Sequence, residues 1–214
     1  MLIVSIVLMA PVAALPAKSV EEVMFRITKG TFMPVQQNDE LKALLAQKPA
    51  LDAFEVAALG DSADLQRKLK ADSSLIHSKN RFGWTALHMA AFAGNVGNAR
   101  LLLDRGADVN VRAATRFRNT PLQVAMLTGQ FEMAKLLLDR GADVLDRQAA
   151  GFTPLHEAAL LGRTDLIELL LERGAEINSR TDDGRSPLTE AMRGKHPAAI
   201  ELLKSKGAAA ELPP

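Results

Sequence analysis

The sequence predicts an all-α repeat solenoid, and three observations support this. A Thr or Ser recurs at steps of 35, 33 and 33 residues, at Thr85, Thr120, Thr153 and Ser186. After each of these residues comes a short apolar segment, and then a leucine-rich segment. Such a repeat cannot bury both of its faces alone, so it needs neighbouring copies of itself.

The unit from Gly151 to Asn178 shows the local signals most clearly. Thr153 suits the N-cap of a helix, and Pro154 suits its first position. His156 stands where a polar side chain can reach back to the cap, as in a capping box. A glycine follows each apolar segment and can take the left-handed conformation that ends a helix. The unit is therefore predicted to contain two short helices.

Copies of this unit lie on both sides of it. Their boxes are Thr85-Ala86-Leu87-His88, Thr120-Pro121-Leu122-Gln123 and Ser186-Pro187-Leu188-Thr189. Leucine triplets follow at 101–103 and 136–138, and Gly-Ala-Asp-Val tails begin at Gly106 and Gly141. The pattern resembles the ankyrin repeat, G-x-T-P-L-H-x-A-A-x-x-G followed by a leucine-rich helix and G-A-D-V-N. The resemblance covers residues 49–212.

The resemblance implies an ankyrin-repeat stack of antiparallel helix pairs with short β-hairpin fingers. The five repeats, caps included, are expected near 49–79, 80–114, 115–147, 148–180 and 181–212. In the first, Val56, Ala57 and Gly60 fall on the Ala, Ala and Gly positions, while the box is missing. In the last, Lys195 replaces the glycine after the first helix. Polar replacements of this kind are expected in end repeats, which expose one face to water.

Composition narrows the function classes. The 214-residue chain is 48% hydrophobic and 24% charged, with a net charge of +1. Nothing in this balance demands a nucleic acid or an anionic membrane as partner, so no nucleic acid is expected. The chain has no cysteine, which excludes disulfides, thiol catalysis and cysteine-ligated metals.

The two N-terminal segments are interpreted separately. Residues 1–17 carry no charged side chain and are typical of a secretory signal peptide for bacterial-type export to the periplasm or the medium. Alternatives are an uncleaved N-terminal membrane anchor, or an apolar start with no such role, which would leave the protein cytoplasmic. Residues 18–48 are interpreted as a flexible extension or as a partial capping helix.

The histidines do not predict an enzyme. His88 and His156 occupy the fourth position of the box, where the resemblance implies hydrogen bonds to neighbouring backbone. Gln123 and Thr189 hold the equivalent positions, which a shared catalytic or metal function would not permit. No paired His at metal spacing, phosphate-binding loop or nucleophile elbow is present. The sequence predicts no catalytic residue, no metal and no cofactor.

The resemblance implies a partner along the concave side, where finger tips and first helices lie. Residues that vary between copies at these positions are the candidate partner-binding set, and the single Trp is the sharpest of them because Trp is enriched at binding hot spots. Packing between repeats is the alternative role for the helix residues. The candidates are Trp84, Phe92, Asn119, Leu127, Phe152, Leu160, Leu161 and Arg185.

One finger differs from the others. Its connection is two residues longer, and it offers Arg112, Arg116, Phe117 and Arg118 as an alternative contact for an acidic surface. Arg118 stands where the other repeats have glycine, so this finger is expected to have a different turn. A tolerated loop insertion with solvated arginines is the other interpretation.

The predicted function is a non-catalytic protein–protein interaction module, monomeric, that binds a partner protein through its concave finger and first-helix surface. The alternative is a dedicated accessory or inhibitory subunit of an extracytoplasmic enzyme.

Overall fold

The computed structural model describes residues 51–115 and 118–209. The predictions for residues 1–17 and 18–48, and for Arg116 and Phe117, lie outside these ranges. The chain divides into two compact units between Ala107 and Asp108, called here the first and the second unit.

The first unit contains two helix pairs. They are α1 (Ala53–Leu59) with α2 (Ser62–Ala71), and α3 (Ala86–Ala93) with α4 (Val96–Asp104); a 3-10 turn, Ser73–Ile76, follows α2. The first helices α1 and α3 pack together, and so do the second helices α2 and α4. The core between them is made of small and aliphatic side chains such as Val56, Ala57, Leu65 and Leu87.

The second unit contains three helix pairs. They are α5 (Pro121–Leu127) with α6 (Phe131–Asp139), α7 (Pro154–Leu160) with α8 (Thr164–Glu172), and α9 (Pro187–Gly194) with α10 (Pro197–Ser205); a 3-10 turn spans Ala149–Gly151. Here α9 packs on α7 and α7 on α5, while α10 packs on α8 and α8 on α6. The predicted all-α stack of repeated helix pairs is confirmed.

Capping boxes fix the start of each first helix. In α3, the Thr85 amide donates to His88 Nδ1 at 3.3 Å, and the His88 amide donates to Thr85 Oγ1 at 3.4 Å. The same reciprocal pairing is found at the starts of α5, α7 and α9. It satisfies backbone amides that have no partner inside the helix. The pairs are Thr120 with Gln123, Thr153 with His156, and Ser186 with Thr189.

The first repeat lacks the Thr-Pro-Leu-His box, but an acid pair forms a capping box in its place. Asp52 Oδ1 accepts the Glu55 amide at 2.8 Å, and Glu55 Oε2 accepts the Asp52 amide at 2.9 Å. An acid pair performs the work of Thr and His because both supply an oxygen or nitrogen acceptor to a free amide. Counted from this box, Ala57 and Ala58, rather than Val56 and Ala57, hold the small-residue pair.

The fingers are turns without strands. Among the described residues no β-strand forms, and one backbone bond of 2.8–2.9 Å closes the base of each finger. These bonds run from Asn80 to Trp84, Ala113 to Asn119, Gln148 to Phe152, and Thr181 to Arg185, amide to carbonyl. The predicted β-hairpins are thus reduced to their turns, because one bond does not make a ladder.

The longer finger keeps the left-handed residue of its neighbours. Arg118 has φ 53, and its amide donates to the Thr115 carbonyl at 3.2 Å. Gly83 has φ 79 and makes the equivalent bond to Asn80 at 2.9 Å. Arg118 thus takes the left-handed conformation of the glycine that it replaces. Arg116 and Phe117 of the same loop lie outside the described residues, so the expectation of a different turn stays a prediction.

Lys195 is a second non-glycine residue in the left-handed region, with φ 57, where it ends α9. Replacing it by Gly should raise the free energy of unfolding by about 1 kcal/mol, because glycine carries no Cβ penalty in this conformation. Urea unfolding measures the change. Lys135→Gly, at an exposed position in the interior of α6, is the matched control and should lower stability by about 1 kcal/mol. A Lys195→Gly protein no more stable than the parent would contradict the argument.

Candidate functional site

His156 joins two consecutive repeats of the second unit. Burial lowers its pKa to about 4, so the imidazole is neutral near pH 7. Its Nδ1 accepts the Thr153 amide at 3.2 Å, and its Nε2 then carries the proton and donates to the Arg185 carbonyl at 3.1 Å. Both ring nitrogens are used by the backbone, which confirms the hydrogen-bonding role that the resemblance implied for this residue.

The asparagines of the repeat tails have a similar joining role. Asn110 Oδ1 accepts the Asp143 amide at 2.9 Å, and its Nδ2 donates to the Gly141 carbonyl at 3.2 Å. Two repeats further along the chain, Asn178 Oδ1 accepts the Ala209 amide at 2.8 Å. These side chains belong to the framework, so recognition of a partner must use other residues.

In the first unit, the aromatic candidates are buried. Trp84 is 4% exposed; its ring meets Phe92 edge-on at 5.7 Å and lies 5.9 Å from His88. Phe92 is 8% exposed. The indole thus folds onto the first helix of its own repeat, where it gains contact area and aromatic packing. Packing is the alternative role given for Phe92, and partner binding by Trp84 or Phe92 stays a prediction.

Three candidates of the second unit are buried too, and partner binding by them stays a prediction. Phe152 lies between the His156 ring at 5.5 Å and the Arg185 guanidinium at 5.2 Å. Asn119 donates through Nδ2 to Gln148 Oε1 at 3.0 Å. Leu127 is 5% exposed, as the alternative role in packing requires.

Leu160, Leu161 and Arg185 remain accessible. The two leucines are half-buried at the end of α7, and the Arg185 side chain is 25% exposed. The ends of α7 and α9 touch, since a Cβ on Gly194 would lie 2.4 Å from the Leu160 carbonyl oxygen. Arg193, at the position of α9 equivalent to Leu160 in α7, is exposed beside them.

In the longer finger, Arg112 is part of a polar network rather than a free contact. It pairs with Asp146 and donates through Nη1 to the Arg118 carbonyl at 3.3 Å. Gln123 Nε2 also donates to Asp146, at 3.0 Å. Burial raises the pKa of Asp146, and the Arg112 charge opposes that shift. Arg118 is exposed.

Sequence reasoning missed two buried acids, Glu157 and Glu190. They follow the box directly, where other repeats have Met89 and Val124, and that mismatch was the available signal. Glu157 is 1% exposed; Gln148 Nε2 donates to its Oε1, while Oε2 has no hydrogen-bond partner. Burial, more than any neighbouring charge, raises the pKa of Glu157 to about 8.

Glu190 lies between two arginines. Its side chain is fully buried, with Oε1 2.7 Å from Arg185 Nη1 and Oε2 3.0 Å from Arg193 Nη2. Burial raises its pKa, and both guanidinium charges oppose the shift. Arg185 Nε is also 2.8 Å from Asp183 Oδ2. We call Arg185, Glu190 and Arg193 the arginine–glutamate cluster.

Within 51–115 and 118–209, no three His, Asp or Glu side chains are grouped so as to hold a metal ion. No helix in that part of the chain has both the length and the apolar character to cross a membrane.

Comparison with known proteins places the chain in a family. The family model of ankyrin repeats, three copies, matches residues 37–148 and 144–212. Similar curated proteins include the ankyrin repeat, SAM and basic leucine zipper domain-containing protein 1 of Carollia perspicillata, 34% identical over 34% of this chain. Others are delta-latroinsectotoxin-Lt1a of Latrodectus tredecimguttatus, 36% identical over 45%, and the DNA-binding protein RFXANK of Homo sapiens, 31% identical over 36%.

The matches cover only 15%, 7% and 30% of these three relatives, so the likeness concerns the repeats they share. The family model, in contrast, covers most of this chain. Together with the stacked helix pairs and their capping boxes, it shows that the chain belongs to the ankyrin-repeat family.

Proposed function

We propose that the chain is a non-catalytic protein-binding module whose partner docks on the second unit, on a surface made of Leu160, Leu161, Arg185 and Arg193. We call this the α7–α9 surface. Ankyrin repeats generally mediate protein–protein interaction, which supports the class of function. One observation supports this location: the four residues vary between repeats and are accessible. Trp84, Phe152 and Leu127 also vary between repeats, but they are buried.

The chemistry of this surface suits a protein partner. Two half-buried leucines on α7 lie beside an exposed arginine on α9, so apolar contact and charge are presented together. Apolar centres with arginine nearby are typical of protein interfaces. The helix ends are held by capping and by close packing at Gly194, so binding orders little backbone and costs little entropy.

The partner can be identified by affinity purification from the native host. Truncating Leu161 to Ala should lower the affinity for this partner by roughly tenfold or more, as expected for an apolar contact at the centre of an interface. Isothermal titration with the purified partner measures the loss. Leu145→Ala is the matched control, because Leu145 is 43% exposed and lies outside the α7–α9 surface. Equal affinities for both variants and the parent would exclude this location, and thermal unfolding checks that each variant is folded.

A further inference from the structure

The buried Glu190 is not required by the fold. The equivalent positions in two other repeats are filled by Met89 and Val124, both fully or almost fully buried, so an apolar side chain suits the site. Burying a carboxylate carries a large desolvation penalty, which ion pairs only partly offset, and apolar replacements of buried ion pairs are often neutral or stabilising. An acid retained at such a cost indicates a role beyond packing.

Glu190 fixes two arginines at once. Its two oxygens lie on different guanidiniums, one from the finger and one from the last turn of α9. The Arg185 guanidinium is held further by Asp183 and by the Phe152 ring beneath it. A long arginine side chain normally loses much rotamer freedom when it binds. Here that freedom is already restricted, so the donors are preorganised.

The accessible side of the cluster is positive. The Arg193 side chain is 41% exposed, and Glu190 is the carboxylate it contacts among the described residues. Lys195 follows on the same helix end and is exposed, and no acid lies between residues 191 and 200. A guanidinium with unused N–H donors binds a planar carboxylate through two parallel hydrogen bonds.

We propose that the arginine–glutamate cluster receives an Asp or Glu side chain of the partner protein, with Arg193 as the contacting residue and Glu190 as its positioning residue. The proposal rests on the proposed function and deepens it. Leu160 and Leu161 lie beside Arg193, so the partner segment should carry an apolar side chain next to the acid. A phosphate dianion fits less well, because the Glu190 carboxylate so close to Arg193 would repel it more strongly.

Selection from a phage-displayed library of random linear peptides tests this without knowledge of the partner. Peptides enriched on the parent protein should share an acid next to an apolar residue. On Arg193→Glu the acid should give way to Lys or Arg, and on Arg193→Gln the charge preference should disappear. Leu145→Ala should select the same peptides as the parent.

Each outcome supports or overturns a defined statement. The carboxylate proposal is overturned if the enriched peptides depend on Leu161 but lack the acid. It is also overturned if Arg193→Glu and Arg193→Gln select the same peptides as the parent. Either result leaves the proposed function standing. Selection of phosphate over carboxylate, in a direct comparison of phosphoserine with glutamate in the enriched peptide, also overturns it. No enrichment on the parent, or enrichment insensitive to Leu161→Ala, overturns both.

Glu190→Met tests the positioning role separately. It should reduce the affinity of the enriched acidic peptide by roughly tenfold while changing the denaturation midpoint little. Met occupies the equivalent site at Met89, and the two arginines that lose this partner are 25% and 41% exposed, so water solvates their charges. A purely structural Glu190 would instead lose stability and affinity together. Titration calorimetry and urea unfolding on the same samples distinguish these results.

Discussion

Replacing Glu157 by Gln should remove about 2 kcal/mol from the loss of stability that the parent protein shows as the pH rises from 6.5 to about 8. The Glu157 carboxyl is buried, and its pKa is raised from 4.5 to about 8. Its neutral form is therefore favoured in the folded state. The unfolded chain releases this proton above pH 4.5, so the free energy of unfolding falls until about pH 8 and is then constant.

His156, the preceding residue, has the opposite effect over a lower range. Its pKa is lowered from 6.5 to about 4, so the unfolded chain binds a proton first and stability rises between pH 4 and 6.5. Between pH 4.5 and 6.5 the two effects oppose each other. Above pH 6.5 the Glu157 effect continues without opposition from His156, up to about pH 8. Over these 1.5 pH units, the difference between 8 and 6.5, the free energy of unfolding falls by about 2 kcal/mol.

Urea unfolding at a series of pH values measures this slope. The raised pKa values of Glu190 and Asp146 give slopes of the same sign, so the decisive quantity is the difference between parent and variant. In Glu157→Gln that difference should grow by about 2 kcal/mol between pH 6.5 and 8. Glu168→Gln removes the same formal charge from an exposed position of α8 and is the control. Parallel profiles for parent and Glu157→Gln would show that this carboxyl is not the source.

The helix pairs and their starts could be predicted because the signals are local. A box of four residues contains both partners of its hydrogen bonds, so Thr153 and His156 in sequence suffice to place the start of α7. The box of the first repeat escaped because Asp52 and Glu55 perform the same chemistry with different side chains. A search by hydrogen-bonding capacity rather than by residue type would have found it.

The binding surface could be predicted only in part because side-chain direction depends on packing. Repeat register places Trp84 and Phe152 at finger bases, but whether a ring points outward or onto its own helix is decided by neighbours such as Phe92 and Arg185. Leu160 is half-buried although Leu127, at the equivalent position of α5, is buried, so repeat register alone does not separate the two.

Arg118 shows that tertiary constraints can overcome local preference. The left-handed conformation costs a non-glycine residue about 1–2 kcal/mol. At Arg118 the closed finger base between Ala113 and Asn119, and the bond from its amide to Thr115, hold the turn regardless. Sequence showed the missing glycine but not these bonds.

Asn98→Ala should lower the free energy of unfolding by roughly 3 kcal/mol, because it removes a fully buried side chain together with its hydrogen bonds. The Ala57 carbonyl loses its side-chain donor, while the Val56 carbonyl keeps the Gly60 amide and the Gly60 carbonyl keeps Asn95 Nδ2. Asn98 is fully buried in the first unit. Its Nδ2 donates to the carbonyls of Val56 at 2.9 Å, Ala57 at 3.3 Å and Gly60 at 2.9 Å, at the end of α1. Urea or thermal unfolding measures the loss. Asn110→Ala, which removes two inter-repeat bonds at an exposed position, should cost less than about 1 kcal/mol.

Asn98→Leu separates the hydrogen bonds from the volume of the side chain. Leu166 occupies the equivalent position of α8. An apolar residue suffices there because α5, the first helix of the preceding repeat, ends in a cap made by its own backbone. There Gly129 has φ 68, and the Gln130 amide donates to the Ala125 carbonyl at 2.9 Å.

At the end of α1, Gly60 has φ −83 and is extended, so it makes no left-handed cap. Asn98, together with Asn95, supplies donors from the next repeat. Asn98→Leu fills the space but provides no donor, so it should still cost about 2 kcal/mol. A variant as stable as the parent would mean that water or a shift of α1 can replace the amide. Leucine would then be tolerated at position 98 of α4, as it is at the equivalent Leu166 of α8.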